Sequence, residues 1–131
     1  MTATNIGEGR TVLVIEDDPA VQTLVRKSLG MYGFKVETAD DGLDGLMRLE
    51  TLTPDLIIAD MMMPRLDGMT FVKAIKGHRD TKQIPVIFLT AKSDPKSMIE
   101  GINVGARFYV TKPFQIDDLV SKVQKALKVA G

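Results

Sequence analysis

The chain of 131 residues contains no cysteine and one histidine. Without cysteine there is no disulfide, no thiol nucleophile and no thiolate metal site. With His78 alone, a His-rich metal centre is excluded as well; lying between Gly77 and Arg79 at a predicted helix end, it reads as a surface residue. Net charge is also missing, because 17 basic and 17 acidic side chains cancel to a formal charge of zero. That balance argues against a strong electrostatic grip on nucleic acid or on an anionic membrane. No apolar stretch approaches the length that spans a bilayer. Met1 to Arg10 is polar, contains glycine and lacks the apolar core of a signal peptide. A flexible tail over residues 1–10 and a cytoplasmic location are therefore expected. What is present is the profile of an ordinary globular protein of one domain, with 44% hydrophobic and 26% charged residues.

The apolar residues come in short runs, and four of these end in groups suited to phosphate or metal chemistry. Val12-Leu13-Val14-Ile15 ends in Glu16-Asp17-Asp18, and Leu56-Ile57-Ile58-Ala59 ends in Asp60. Val86-Ile87-Phe88-Leu89 ends in Thr90, and Phe108-Tyr109-Val110 ends, after Thr111, in Lys112-Pro113. Such runs read as strands buried on both faces, as in a parallel sheet. Predicted strands lie over 11–15, 34–38, 55–59, 86–89 and 107–110. Asp18-Pro19, Asp67 and Asp94-Pro95 read as helix starts, with the aspartate as cap. Further helices are expected over 42–51 and 116–128. Met98, Ile99, Ile102 and Val104 form the predicted apolar face of the helix after Asp94, and Gly105 stops it. Strict alternation of strand and helix predicts an α/β fold of flavodoxin-like type: a doubly wound, three-layer (βα)5 parallel sheet in the order 2-1-3-4-5. Ligands of such sheets bind outside the carboxyl ends of the strands, so the four polar termini should converge.

Each residue has a chemical reading and a plainer one. Glu16 and Asp17 are adjacent acids that either hold a divalent cation between them or face solvent at the start of a helix. Asp18 reads better as a helix cap. Asp60 is a candidate nucleophile, since a carboxylate can accept a phosphoryl group as an acyl phosphate; the alternative is a turn residue. The Met62 backbone carbonyl, two residues on, is within reach of a metal at Asp60. Thr90 can donate its hydroxyl to a phosphoryl oxygen or bond its local backbone. Lys112, held before Pro113, can pair with carboxylate and phosphate alike, or lie solvated. Tyr109 is either half-buried packing or a ring able to change rotamer.

Val-Leu-Val-Ile-Glu-Asp-Asp-Pro, Pro-Asp-Leu-Ile-Ile-Ala-Asp-Met-Met-Met-Pro-Arg-Leu-Asp-Gly, Ile-Pro-Val-Ile-Phe-Leu-Thr-Ala-Lys and Gly-Ala-Arg-Phe-Tyr-Val-Thr-Lys-Pro-Phe resemble the signature blocks of response-regulator receiver domains, the CheY-like superfamily of two-component signal transduction. The resemblance covers about residues 11–128. It implies a receiver domain over 11–129, with no effector domain visible. It further implies that Asp60 is phosphorylated by a partner histidine kinase or histidine phosphotransfer protein. Mg²⁺ would be bound by Asp17, Asp60 and the Met62 carbonyl, and by Glu16 through water. Thr90 and Lys112 would hold phosphoryl oxygens, and Thr90 and Tyr109 would be the switch pair. A cis bond before Pro113 is implied too. The output surface would be the fourth helix, fifth strand and fifth helix, read by a downstream protein or a missing effector domain, without direct contact to nucleic acid or membrane. The chain would then be a signalling phosphoacceptor rather than an enzyme, acting catalytically only on itself. Glu16 stands where aspartate is commoner. Arg107 and Phe108 stand where many receivers of transcription factors carry an acidic pair, so the dimer those proteins make is not carried over. The competing readings are a receiver that docks proteins without phosphorylation, a flavin carrier of the same fold class and an aspartyl phosphatase. A flavin carrier needs a hydroxyl- and glycine-rich loop after the first strand, and the acids there would repel a phosphate. A phosphatase needs a second acid where Met62 stands.

Overall fold

The computed structural model describes residues 6–130. Strands and helices alternate as β1 (Thr11–Ile15), α1 (Pro19–Gly30), β2 (Lys35–Ala39), α2 (Gly42–Arg48), β3 (Leu56–Ala59), α3 (Gly68–Lys76), β4 (Val86–Thr90), α4 (Pro95–Val104), β5 (Phe108–Thr111) and α5 (Ile116–Ala130). All strand pairs are parallel and the order is β2-β1-β3-β4-β5, as the alternating pattern predicts. Successive strand residues point to opposite faces, so each strand feeds two cores. Val12, Val14, Ile58 and Leu89 pack with Val25 and Leu29 of α1 and Leu119 and Val123 of α5. Leu13, Ile15, Ile57 and Phe88 pack with Phe71, Val72 and Ile75 of α3.

The aspartate helix starts form as predicted. Asp18, Asp67 and Asp94 each accept a backbone N–H in the first turn of their helix, and Asp41 does the same for α2. The predicted helix over 42–51 ends earlier, at Arg48. Glu50 and Thr51 donate to Met47 and Arg48, three residues back, and this tightens the last turn out of α-geometry. Strands β2 and β5 are shifted one residue later than predicted. Phe34 is not paired in β2 but turns into the core, 5% exposed, after Gly33 at a φ of 92°.

The apolar face expected for α4 is a correction. Met98, Ile99 and Ile102 are exposed, and the buried residues of α4 are Ser97 and Gly101. Small residues let this helix lie close on the sheet: a Cβ at Gly101 would come within 3.0–3.1 Å of Met61, Phe88 and Tyr109. The expected N-terminal tail lies outside the described residues over 1–5. Within 6–10, Ile6 packs on the core and Gly7 donates its N–H to the Tyr32 carbonyl at 2.8 Å. Among the described residues, no helix is long and apolar enough to cross a membrane.

Candidate phosphoryl and metal site

The carboxyl ends of β1 and β3 lie side by side because Ile15 is in register with Ala59. The next residue of each chain segment extends the ladder: Glu16 N–H donates to the Ala39 carbonyl at 3.0 Å and Asp60 N–H to the Ile15 carbonyl at 3.1 Å. Beyond β5, Lys112 N–H donates to the Thr90 carbonyl at 2.8 Å. Sheet register thus carries residues from four distant segments to one edge.

There the acids meet. Glu16 and Asp60 are buried, Asp17 is exposed, and one carboxylate oxygen from each lies within 4.8 Å of the other two. Lys112 Nζ bridges the two buried acids, donating to Glu16 Oε1 at 2.7 Å and to Asp60 Oδ2 at 2.9 Å. The remaining oxygens are also engaged. Glu16 Oε2 accepts the Asp18 N–H at 3.0 Å, and Asp60 Oδ1 accepts the Met62 N–H at 3.0 Å. Asp18 itself caps α1 through Ala20 N–H at 2.9 Å, which settles its plainer reading.

Burial pushes the Glu16 carboxyl above its ordinary range. Lys112 and the Asp18 N–H oppose that shift without cancelling it, and the Asp60 charge adds to it. Burial alone would lower the Lys112 ammonium, but its hydrogen bonds to Glu16 and Asp60 and their charges together hold it above an ordinary lysine. Burial sets the direction for Glu16, and the two buried acids set it for Lys112. Such a site is short of positive charge. Its donors are hard oxygens, with no thiolate or imidazole, and that set fits Mg²⁺.

Thr90 is fully buried at the end of β4, and its Oγ1 accepts the Lys92 N–H at 3.3 Å. Tyr109, in register with Phe88, shares a sheet face with Phe88 and Thr90. Its ring centroid is 6.1 Å from that of Phe88, and its hydroxyl donates to the Lys92 carbonyl at 2.6 Å. The ring is therefore drawn over the loop between β4 and α4. Met62 is exposed, and together with Lys92 it lines a cleft shared with Met61, Met63, Pro64 and Ser97. The Lys112–Pro113 bond is cis, as the resemblance implies. His78 is exposed, as expected.

Two contributions to the site had no signal in the sequence. The Gln22 side-chain amide reaches the Glu16 carbonyl and donates to Asp40 Oδ1 at 3.0 Å, joining α1 to the loops after β1 and β2. Arg65 lies in the loop after β3 and forks onto Asp41, Nε to Oδ2 at 2.5 Å and Nη2 to Oδ1 at 3.0 Å. The Asp41-Gly42 dipeptide by itself signals only a turn.

Residues 12–124 match the model of the response regulator receiver domain family. The chain is 38% identical over 117 residues to the DNA-binding dual master transcriptional regulator RpaA of Synechocystis sp., covering 89% of this chain and 48% of that protein. It spans about half the length of the first curated relatives it matches, RpaA and the response regulator MprA of Mycobacterium tuberculosis. Among solved structures, the receiver domain of the Francisella response regulator 1452 superposes with a TM-score of 0.87 at 32% identity, over 94% of this chain and 100% of that one. The receiver domain of the sensor histidine kinase PA1611 of Pseudomonas aeruginosa, whose structure has a magnesium ion coordinated in its active-site cleft, superposes with a TM-score of 0.84 at 28% identity, over 92% and 98%. By sequence over nearly its whole length, and by strand order and the acids that order gathers, this chain belongs to the response-regulator receiver domains of two-component signalling.

Proposed function

We propose that the chain is the phosphoacceptor module of a two-component system or phosphorelay, with Asp60 as the acceptor. The observation that carries this reading is the Lys112 bridge: an ammonium stands 2.9 Å from the Asp60 carboxylate, at a site where buried Glu16 and exposed Asp17 also converge. Phosphoryl transfer needs alignment and neutralisation of charge more than covalent machinery. An Asp60 oxygen attacks phosphorus, the P–N bond of a partner's phosphohistidine breaks as the P–O bond of an acyl phosphate forms, and the imidazole nitrogen leaves with the electron pair. Lys112 and Thr90 take phosphoryl oxygens as negative charge moves outward. Asp17, Asp60 and the Met62 carbonyl would hold Mg²⁺ directly and Glu16 through water; the ion supplies charge neutralisation at the phosphoryl group. The donor is a histidine kinase or histidine phosphotransfer protein.

The new charge and acceptor oxygens bias a two-state element. Thr90 moves toward the phosphate, and Tyr109 follows over the loop that its hydroxyl already touches. The surface so changed is α4, β5 and α5, which a downstream protein or a further domain reads. A phosphate favouring the active state by about 3 kcal/mol shifts that balance on the order of a hundredfold. On this reading the chain is no enzyme toward other substrates, lies in the cytoplasm and does not itself bind nucleic acid.

Intact-mass spectrometry after incubation with acetyl phosphate and Mg²⁺ tests the reading. The expected result is one adduct of about 80 Da, lost without Mg²⁺ and lost in Asp60→Asn. No adduct, even with phosphoramidate and short delays, would favour a receiver that docks its partner without phosphorylation.

A further inference from the structure

Arg65 is the one non-glycine residue with positive φ among the described residues, at 66°. That conformation strains any side chain with a Cβ, and glycine would adopt it freely. The arginine has a use that glycine would forfeit: it forks onto Asp41 with two hydrogen bonds. Asp41 is itself buried, 5% exposed, and its Oδ1 also accepts the Asp44 N–H at 2.9 Å as the cap of α2. A bidentate fork onto a buried, hydrogen-bonded carboxylate is stronger than an ordinary surface pair.

The loop this fork holds follows β3 and contains Asp60 and Met62. At its base, Gly68 N–H donates to the Met61 carbonyl at 3.0 Å, and a Cβ at Gly68 would lie 2.2 Å from the Asp60 carbonyl oxygen. At its far side, a Cβ at Gly42 would lie 2.4 Å from the Leu66 carbonyl oxygen, so α2 abuts the loop directly. Met62, Met63 and Pro64 lie between the pinned base and the pinned tip.

We infer that the Asp41–Arg65 fork is a positioning clamp that ties the loop after β3 to α2 and so holds the Met62 carbonyl in place for Mg²⁺. The inference rests on the reading of Met62 as a metal ligand. Neither Asp41 nor Arg65 touches the metal or the phosphoryl group; both act through the loop. Releasing the tip widens the range of loop conformations, and part of the binding free energy then goes to reordering it.

The test is a titration of the metal-free 131-residue chain with Mg²⁺, followed by calorimetry and by the Met62 amide resonance, for the unmodified protein, Asp41→Asn, Arg65→Gly and the double variant. Asn at 41 keeps the α2 cap, and Gly at 65 relieves the backbone strain, so neither change threatens the fold. Each single variant is expected to bind Mg²⁺ about 3- to 10-fold more weakly, less than the roughly 10- to 100-fold seen for residues bonded directly to metal ligands, because the fork acts through the loop. The double variant should be no weaker than either single, because the two residues act as one unit. Arg65→Lys, which keeps the charge and loses the fork, should fall between. A merely structural pair would change unfolding midpoints and leave Mg²⁺ affinity alone. Affinity unchanged within twofold in both singles, or losses that add in the double variant, would overturn the clamp while leaving the metal site intact. Failure of the unmodified chain to bind Mg²⁺ would overturn the metal reading and the clamp with it.

Discussion

Lys112 and Asp60 are 52 positions apart in the chain and 2.9 Å apart in space, and the same ammonium also holds Glu16. Replacing Lys112 with Met leaves two buried carboxylates without their cation. The expected loss is on the order of 3 kcal/mol in urea unfolding without metal, with part of it restored by Mg²⁺. The pH dependence has a fixed sign. The folded ammonium titrates above the ordinary lysine value, so its contribution is whole below that value and is lost as pH rises through the raised one.

Neutralising Asp60 should act in the opposite direction. Three acids converge on the site and two of them share one ammonium, so removing the Asp60 charge relieves repulsion while Lys112 keeps Glu16. Asp60→Asn is expected to gain about 1 kcal/mol in metal-free buffer. Mg²⁺ should raise the melting temperature of the unmodified protein more than that of the variant.

Gly68 and Gly30 make a matched pair. A methyl at Gly68 meets the Asp60 carbonyl oxygen at 2.2 Å and Met61 Cα at 2.8 Å, both backbone atoms that cannot swing aside. Gly68→Ala should cost about 2–3 kcal/mol. A methyl at Gly30, the last residue of α1, meets nothing within 4 Å. Gly30→Ala should gain about 0.5 kcal/mol. Denaturant midpoints of the two variants check both signs.

Met62 and Lys92 each stand two residues past a site residue, Asp60 and Thr90, and both line one cleft. On the phosphoacceptor reading they shield the acyl phosphate from water. Met62→Ala and Lys92→Ala should each speed loss of the phosphoryl group by about 3- to 10-fold, roughly 1 kcal/mol of barrier. Decay of the phosphorylated mass after donor removal measures this, and unchanged rates would refute the shielding role.

Acid should erase the difference between the unmodified chain and Asp41→Asn. The Arg65 hydrogen bonds, then the Asp44 N–H, hold the Asp41 carboxyl below its ordinary value of 3.8. A depressed carboxyl stabilises the fold above its unfolded pKa, and the contribution is lost as pH falls through the folded one. The stability gap between the two proteins should be constant near neutrality and close below about pH 3.8. Unfolding curves across that range decide it.

Much of this molecule can be read one segment at a time. The apolar runs, the aspartate caps and the polar strand ends are local patterns, and right-handed parallel crossovers leave few ways to assemble them. That is why the strand order and the meeting of Glu16, Asp17 and Asp60 follow from the sequence. Packing decided the rest. Asp41 and Arg65 are 24 residues apart in different loops, and nothing local in either marks the other. The apolar stripe on α4 has helical spacing, yet Ser97 and Gly101 face the sheet and Met98, Ile99 and Ile102 do not. Periodicity registers which residues are apolar, whereas burial depends on how closely two elements approach. Here the small side chains set that approach, and only the assembled fold contains it.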